Sequence, residues 1–567
     1  MQNLSIWEPR DEGIELWPIT VGELLDRQAA AIPGNDAIIY DDPQAGFVFR
    51  WTYRDLHEQV ERLAATLLAW GIARGDHVAL MSANRPEWIL LEYALAKLGA
   101  VLVTVNPAFK REEIRYILAQ GRISTFFVAG EYRGYDIAAA LAELMPDLPG
   151  LAEGAIREGD TLPDLKRLCR VGDVPVPGAA PFAELEARIG AGDRAAVRAR
   201  QAEVKPEDIF QIQYTSGTTG APKGAMIRHF SAVNNARLSS GRAGFTASER
   251  LVSPMPYFHT AGSICNVLGM CTVGGCHIGM SAFDAGETLR LIDKYRGTVM
   301  NGAPTMFVRM LEHPLWTEGK VDLSSLRILY TGGTIISPAL MTELNQKWGA
   351  DPMIIMGMTE CSPIITQTNP EDDFATKINT AGTPLPHTGV MVADPETDRA
   401  VPIGEKGELR MRGYLVTPGY FDMPERTRDA FTADGWFRSG DLAIMHEGGY
   451  VEIVGRLKDM LIRGGENIYP VEIEEFLQRH PAIAEAQVVA APDKEMGEEV
   501  FAFVVRRPGA ALTAKELRDH CRANLARHKL PRYIAFVDGF PLTPSGKVKK
   551  FELRDLAAKL VAEGKAE

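Results

Sequence analysis

The sequence predicts an α/β protein: a large N-terminal domain of packed β-sheets and helices, followed by a small α+β C-terminal domain. Strand and helix patterns alternate from Thr20 to Val105, as they do where helices cover a buried parallel sheet. At 567 residues the chain is too long for one core. A charged break, Gly455-Arg456-Leu457-Lys458-Asp459, follows a strand pattern and precedes a compact remainder, so the expected domains are 1–456 and 457–567.

In order, the pattern gives a helix over Val21 to Ala30, strands at Ala37 to Tyr40 and Phe47 to Trp51, and an amphipathic helix from Tyr53 to Trp70. A strand at His77 to Ser82, a helix at Glu87 to Lys97 and a strand at Val101 to Val105 follow. Arg85 stands at the junction of that strand and helix, where α/β sheets bind ligands, and reads either as a ligand contact or as a solvated loop arginine. Residues from about Met145 to Val204, rich in Ala, Gly, Pro and charge, read as surface elaboration without chemistry.

Ile209 to Tyr214 alternates as a half-buried strand does, and Ala225 to Ile227 reads as a second short strand. Between them lies Thr215-Ser216-Gly217-Thr218-Thr219-Gly220-Ala221-Pro222-Lys223. From Thr215 to Gly220 every residue is a hydroxyl donor or a glycine, so backbone N–H groups and small hydroxyls can close around phosphate oxygens while Lys223 adds a cation. It is not a Walker A loop, because Pro222 precedes Lys223 and no window has the Gly-x-x-x-x-Gly-Lys-[Ser/Thr] spacing.

Beyond it, a strand at Leu251 to Met255 leads into Pro256-Tyr257-Phe258-His259, with a glycine-containing helix start after the histidine. Strand ends open into glycines at Gly302, at Gly332-Gly333-Thr334, and at Met356-Gly357-Met358-Thr359-Glu360. Glycines there let a flat ligand lie against the backbone, and a carboxylate beside a hydroxyl offers hard oxygens to Mg²⁺ and phosphate. Past the break, Gly464-Gly465 is a turn, and Pro470 opens a helix with acids in its first turn. Strands at Val488 to Ala491 and Val500 to Val505 and a helix at Ala514 to Ala526 follow, and Pro541 to Lys547 presents a lysine on a Pro/Gly loop.

Composition bounds the function. With 46% hydrophobic and 24% charged residues the chain is globular, and 61 basic against 74 acidic residues give a net charge of −13. That argues against nucleic acid, whose binding needs a basic footprint. Six cysteines without a Cys-x-x-Cys suggest a reducing compartment, hence a cytoplasmic location; Cys265, Cys271 and Cys276 read as buried packing. Met1 to Gly13 has no apolar signal core, and the most apolar stretch, Leu98 to Val105, is too short for a bilayer, so no integral membrane segment is expected. Hydrolase motifs are missing: there is no Gly-x-Ser-x-Gly, and His446-Glu447 lacks the second histidine of a zincin.

These motifs, in this order from Ala37 to Lys547, resemble the adenylate-forming superfamily of acyl-CoA synthetases, luciferases and nonribosomal adenylation domains, and within it medium-chain fatty-acyl-CoA ligases. The resemblance implies a carboxylic acid, ATP with Mg²⁺, and coenzyme A. The carboxylate attacks the α-phosphorus to give acyl-AMP and pyrophosphate, and the thiol then displaces AMP. It implies that Thr215, Ser216, Gly217, Thr218, Thr219, Gly220 and Lys223 hold the β- and γ-phosphates, Thr359 the α-phosphate, Glu360 the Mg²⁺, and Asp441 with Arg456 the ribose. It implies adenine at Gly333, Thr334, Met356 and Gly357, and Lys547 bridging carboxylate and α-phosphate. His259 matches a Phe-His motif where acyl and thiol tunnels meet; with Gly302, Gly332, Gly333 and Met358 it would line the acyl pocket. CoA would meet Gly464, Gly465 and Arg85, and Lys458 would be the hinge of a C-terminal domain that rotates between half-reactions.

Two motifs depart from the pattern: Met356 replaces the aromatic of Tyr-Gly-x-Thr-Glu, and Thr334-Ile335 replaces Ala-Pro. The pocket candidates carry no fixed charge, which points to a monocarboxylate with a short to medium apolar tail or a small ring. An adenylating enzyme with a non-CoA acceptor and a catalytically silent sensor are the alternatives, and monomer and homodimer both stay open.

Overall fold

The structure is a computed structural model that describes residues 3–215, 222–333, 336–464, 466–542 and 548–565. It packs into two compact units: Glu8–Gly389 with Arg412–Gly435, and Met1–Trp7 with Val390–Met411 and Trp436–Glu567. The Val451–Arg456 strand thus packs with the C-terminal residues, whereas the charged break sets a boundary at 456/457.

Besides a short hairpin, Glu131–Tyr132 with Tyr135–Asp136, the larger unit holds two large sheets. One runs in the spatial order Ala180–Pro181, Arg167–Arg170, Thr125–Val128, His77–Met81, Val101–Thr104, Ile209–Thr215, Lys223–Arg228. Its strands are parallel except for the last pair. The other runs Thr383–Pro384, Ile364–Gln367, Asp351–Gly357, Ile328–Gly332, Val299–Asn301, Arg250–Ser253, Cys276–Gly279, Asp36–Asp42, Phe47–Thr52, parallel at its centre and antiparallel at both edges.

Helices cover these sheets. Pro86–Leu98 starts on a proline, ends at Gly99 in the left-handed conformation, and is buried along nearly its whole length, so its sequence is apolar almost all round. Tyr53–Ala69 is capped by Thr52 and Asp55 in a reciprocal box. Between helices the buried Lys97 ammonium meets Glu61 at 2.8 Å and also pairs with Asp26. Asp26, Glu61 and His57 are close enough together to suggest a metal site, but Lys97 already supplies the cation.

The stretch from Met145 to Val204 is not mere surface elaboration. Arg167–Arg170 pairs with Thr125–Val128, Leu165, Leu168, Cys169 and Val176 are core residues, and Arg194–Gln201 is a helix. A strand of four residues with an arginine at each end is too short to show a period.

The smaller unit carries an antiparallel sheet of Ile6–Trp7, Thr388–Ala393, Lys406–Gly413, Phe437–Met445 and Val451–Arg456. A second sheet in it is built on the hairpin Ile483–Asp493/Gly497–Arg506, longer than the predicted strands because its outward residues, Glu485 among them, are polar. Pro470–Gln478, Ala514–Asn524 and Lys550–Ala562 are its helices. All six cysteines are buried. Burial pushes the Cys265, Cys271 and Cys276 thiols up to about 12, which leaves them inert as nucleophiles. Among the described residues no helix is long and apolar enough to cross a membrane.

Candidate active site

In the larger unit, four neighbouring parallel strands end along one sheet edge: Arg250–Ser253, Val299–Asn301, Ile328–Gly332 and Asp351–Gly357. Their ends open into the His259 loop, Gly302, Gly333 and Met358, so four separate stretches of sequence meet where α/β sheets bind ligands. The backbone there is crowded. A Cβ on Gly332 would meet the Ile355 carbonyl oxygen at 2.1 Å and one on Gly357 the Pro363 carbonyl oxygen at 2.2 Å, so both positions require glycine.

The other sheet delivers Thr215 at the end of Ile209–Thr215 and Lys223 at the start of Lys223–Arg228, paired with each other. Tyr116 donates to the Pro222 carbonyl at 3.1 Å, fixing the return from the intervening loop. The Thr215 hydroxyl donates to Glu360 Oε1 at 3.4 Å, which links the two sheets. Thr359 and Glu360 begin a 3-10 turn and are 7% and 6% exposed, so the carboxylate sits in a nearly dry site.

Tyr420 completes the cluster. Its hydroxyl donates to Glu360 Oε1 at 2.9 Å, and its ring centroid lies 4.8 Å from Lys223 Nζ. Burial, and then the Glu360 charge, push its phenol pKa far up, so it remains a proton donor. Backbone pairing brings it there: Phe421 N–H donates to the Gly224 carbonyl at 2.8 Å, and Thr417 Oγ1 donates to the Met226 carbonyl at 2.7 Å. Sequence reasoning passed over Tyr420. The one signal was the Gly419-Tyr420 dipeptide, which says nothing of Glu360, 60 residues earlier in the chain, or of Lys223.

The remaining candidates in this unit take separate places. Met356 is 8% exposed on its strand, and Met358 caps the turn of Thr359. His259 Nδ1 accepts the Ala261 N–H at 3.2 Å, so the neutral ring carries its proton on Nε2. Ala261–Leu268 is a π-helix, where a regular helix start was expected. The two forms differ by one residue per hydrogen-bonded turn, which composition does not encode. Arg85 caps Pro86–Leu98, pairs with Glu87 at 3.1 Å and lies 5.0 Å from the Phe47 ring centroid, which ties it into local structure.

In the smaller unit Asp441 faces Arg456 across two antiparallel strands, with Arg456 Nε 2.8 Å from Asp441 Oδ1. Ser439 Oγ accepts the Asp441 N–H and orients that turn. Lys458 sits in the short turn after it; burial, then Arg456, lower its pKa. Gly464 adopts a left-handed turn and donates its N–H to the Met496 carbonyl at 2.9 Å. Ser216, Gly217, Thr218, Thr219, Gly220, Thr334, Gly465 and Lys547 lie outside the described residues.

The two sheets of the larger unit thus bring together a cation against a tyrosine ring and a buried carboxylate with two hydroxyl neighbours. The family model of AMP-binding enzymes matches residues 25–421. The chain is an AMP-binding enzyme. The model of the AMP-binding enzyme C-terminal domain matches residues 472–547. YngI of Bacillus subtilis (strain 168) is 39% identical over 95% of this chain and 97% of its own length. The medium-chain acyl-CoA ligase ACSF2, mitochondrial, of Rattus norvegicus is 36% identical over 94% of this chain and 87% of its own length. Among solved structures, the anthranilate CoA ligase AuaEII in complex with anthranoyl-AMP aligns with a TM-score of 0.82 at 26% identity, over 98% of this chain and 100% of that one. This AMP-binding enzyme is an AMP-forming acid–thiol ligase of the acyl-CoA synthetase kind, with the adenylate-forming fold.

Proposed function

We propose that this AMP-binding enzyme activates a short- to medium-chain, or small cyclic, monocarboxylic acid with Mg-ATP and passes the acyl group to coenzyme A. The observation that carries the reading is the convergence of Thr215, Lys223, Tyr420 and Glu360. Displacement at a phosphoryl centre is catalysed by positioning and by cations facing developing charge, so no protein nucleophile is needed.

Lys223 and the loop before it hold the β- and γ-phosphates, with Thr359 at the α-phosphate. The carboxylate of Glu360 and the Thr215 hydroxyl are the hard oxygen donors that magnesium takes, so the residues present fit that ion. Mg²⁺ held there would neutralise phosphate charge. Tyr420 orients Glu360, and its ring lies against the Lys223 ammonium that faces the phosphates. Met356, Gly357, Gly333 and Thr334 take adenine, with a thioether in place of an aromatic ring. Asp441 accepts from the ribose hydroxyls with Arg456 beside it, and Lys547 bridges carboxylate and α-phosphate.

The apolar character of the acid is supported by the residues at the strand ends: Gly302 faces Met300 and Met306, and no fixed charge stands among His259, Gly302, Gly332, Gly333 and Met358. The name of the rat relative points the same way. In the second half-reaction CoA reaches the acyl-adenylate past His259, the Gly464-Gly465 turn and Arg85, and the domains 1–456 and 457–567 turn about Lys458 between the halves. We place the enzyme in fatty-acid metabolism in a reducing, cytoplasm-like compartment. Activity with chelator and graded Mg²⁺ tests the metal: loss on chelation restored by Mg²⁺ is expected, and undiminished turnover without the ion overturns it.

A further inference from the structure

The turn that carries His259 is held from two sides by one buried helix and the residues leading into it. Before Pro86–Leu98, the buried Asn84 accepts the Tyr257 N–H on Oδ1 at 2.9 Å and donates through Nδ2 to the Met255 carbonyl at 3.0 Å and the Met280 carbonyl at 3.1 Å. Asn84 thus fixes the loop just ahead of His259.

Within the helix, Glu92 is 1% exposed and starts a chain of buried side chains. Gln211 Nε2 donates to Glu92 Oε1 at 3.1 Å. Gln213 Nε2 donates to Gln211 Oε1 at 3.0 Å and reaches Ser263 Oγ at 3.4 Å. Ser263 Oγ donates in turn to the His259 carbonyl at 3.3 Å. Gln211 and Gln213 are two apart, on one face of the strand that ends at Thr215. The chain therefore ties helix, phosphate-loop strand and histidine turn together.

A carboxyl group in this place is costly to bury, and an apolar side chain of similar size would pack there at less expense. What an apolar residue lacks is an acceptor for Gln211. Without that acceptor Gln211 and Gln213 lose their fixed amide orientation, and Ser263 loses a donor aimed at it. The carbonyl of His259, which also accepts the N–H groups of Gly262 and Ser263, is where the loss is felt.

We propose that Glu92 is a positioning residue for the thioester half-reaction: through Gln211, Gln213 and Ser263 it fixes the turn that aims His259. This rests on the reading of His259 given above. Glu92 touches no substrate; it acts through the histidine turn. Adenylation is served by the Lys223, Tyr420 and Glu360 side chains, which make no direct hydrogen bond to Glu92, Gln211, Gln213 or Ser263.

The test separates the halves. Acyl-AMP formation is followed by pyrophosphate exchange, and thioester formation from supplied acyl-AMP and CoA, in Glu92→Leu, Glu92→Gln, Ser263→Ala and His259→Ala. Expected for Glu92→Leu and for Ser263→Ala is a loss of about tenfold or more in thioester formation with exchange kept within about threefold, and for Glu92→Gln a rate restored toward wild type. Ser263→Ala, which only removes a hydroxyl, decides the matter if Glu92→Leu does not fold. Equal losses in both halves, or none in either, overturn the proposal. If His259→Ala alone leaves thioester formation intact, the role given to His259 falls, and the proposal with it.

Discussion

The Tyr420 hydroxyl donates to the Glu360 carboxylate at 2.9 Å, joining a chain segment that follows both sheets to the turn at the end of Asp351–Gly357. A buried carboxylate that also takes the Thr215 hydroxyl has its orientation fixed before any substrate arrives. Tyr420→Phe removes one charge-assisted hydrogen bond while leaving the ring against Lys223. It is expected to lower stability by about 1–2 kcal/mol and to slow acyl-AMP formation about tenfold. Thioester formation from supplied acyl-AMP should hardly change. Pyrophosphate exchange and thermal melts measure both effects.

Glu360→Gln keeps shape and loses charge. The Mg²⁺ concentration for half-maximal pyrophosphate exchange should rise about tenfold or more, because an amide oxygen is a weaker partner for a hard dication than a carboxylate. An unchanged Mg²⁺ requirement would place the ion elsewhere.

The motif residues were legible because each lies in a short contiguous stretch: Thr215 with Lys223, Thr359 with Glu360, and Asp441 after its glycine. Tyr420 was not, since what brings it to Glu360 is pairing of its chain neighbours Gly419 and Phe421 with Met226 and Gly224, a tertiary contact without a local pattern. The alternation to Val105 foretold the parallel sheets, whereas Arg167–Arg170 was missed for want of length. Asn84, Glu92, Gln211 and Gln213 read as isolated polar residues in apolar runs, and only packing shows them to be joined.

Burial raises the pKa of Glu92 well above its ordinary 4.5, with the Gln211 hydrogen bond opposing. The titratable groups that sense it, Tyr93, Tyr257 and Cys271, have their own pKa values raised by burial and are neutral at ordinary pH. For an acid raised on folding, the protonated side chain makes its full contribution below the unfolded pKa. That contribution declines as pH rises, until the folded pKa is passed. Glu92→Gln binds no proton there, so its stability relative to wild type should grow as pH rises from the ordinary carboxyl range through neutrality. Denaturant melts across that range read the slope; parallel curves for the two proteins would contradict it.

Gly332 and Gly302 should respond differently to alanine. At Gly332 the new Cβ meets the Ile355 backbone oxygen at 2.1 Å, so folding or acid binding should suffer by several-fold or more. At Gly302 it meets Met300 Cε at 2.9 Å and Sδ at 3.0 Å, atoms of a flexible side chain that can move. Gly302→Ala should therefore fold and shift preference toward shorter acids, as read from relative kcat/KM over a chain-length series.

The central claim, adenylation of an apolar monocarboxylate followed by transfer to CoA, is tested most directly by mass spectrometry of the products. ATP, Mg²⁺ and a panel of mono- and dicarboxylic acids are incubated with the enzyme, with and without CoA. The account predicts acyl-AMP without CoA, and acyl-CoA with stoichiometric AMP when CoA is present, for apolar monocarboxylates. Thioesters formed only from dicarboxylates, or acyl-AMP that CoA never consumes, would contradict it.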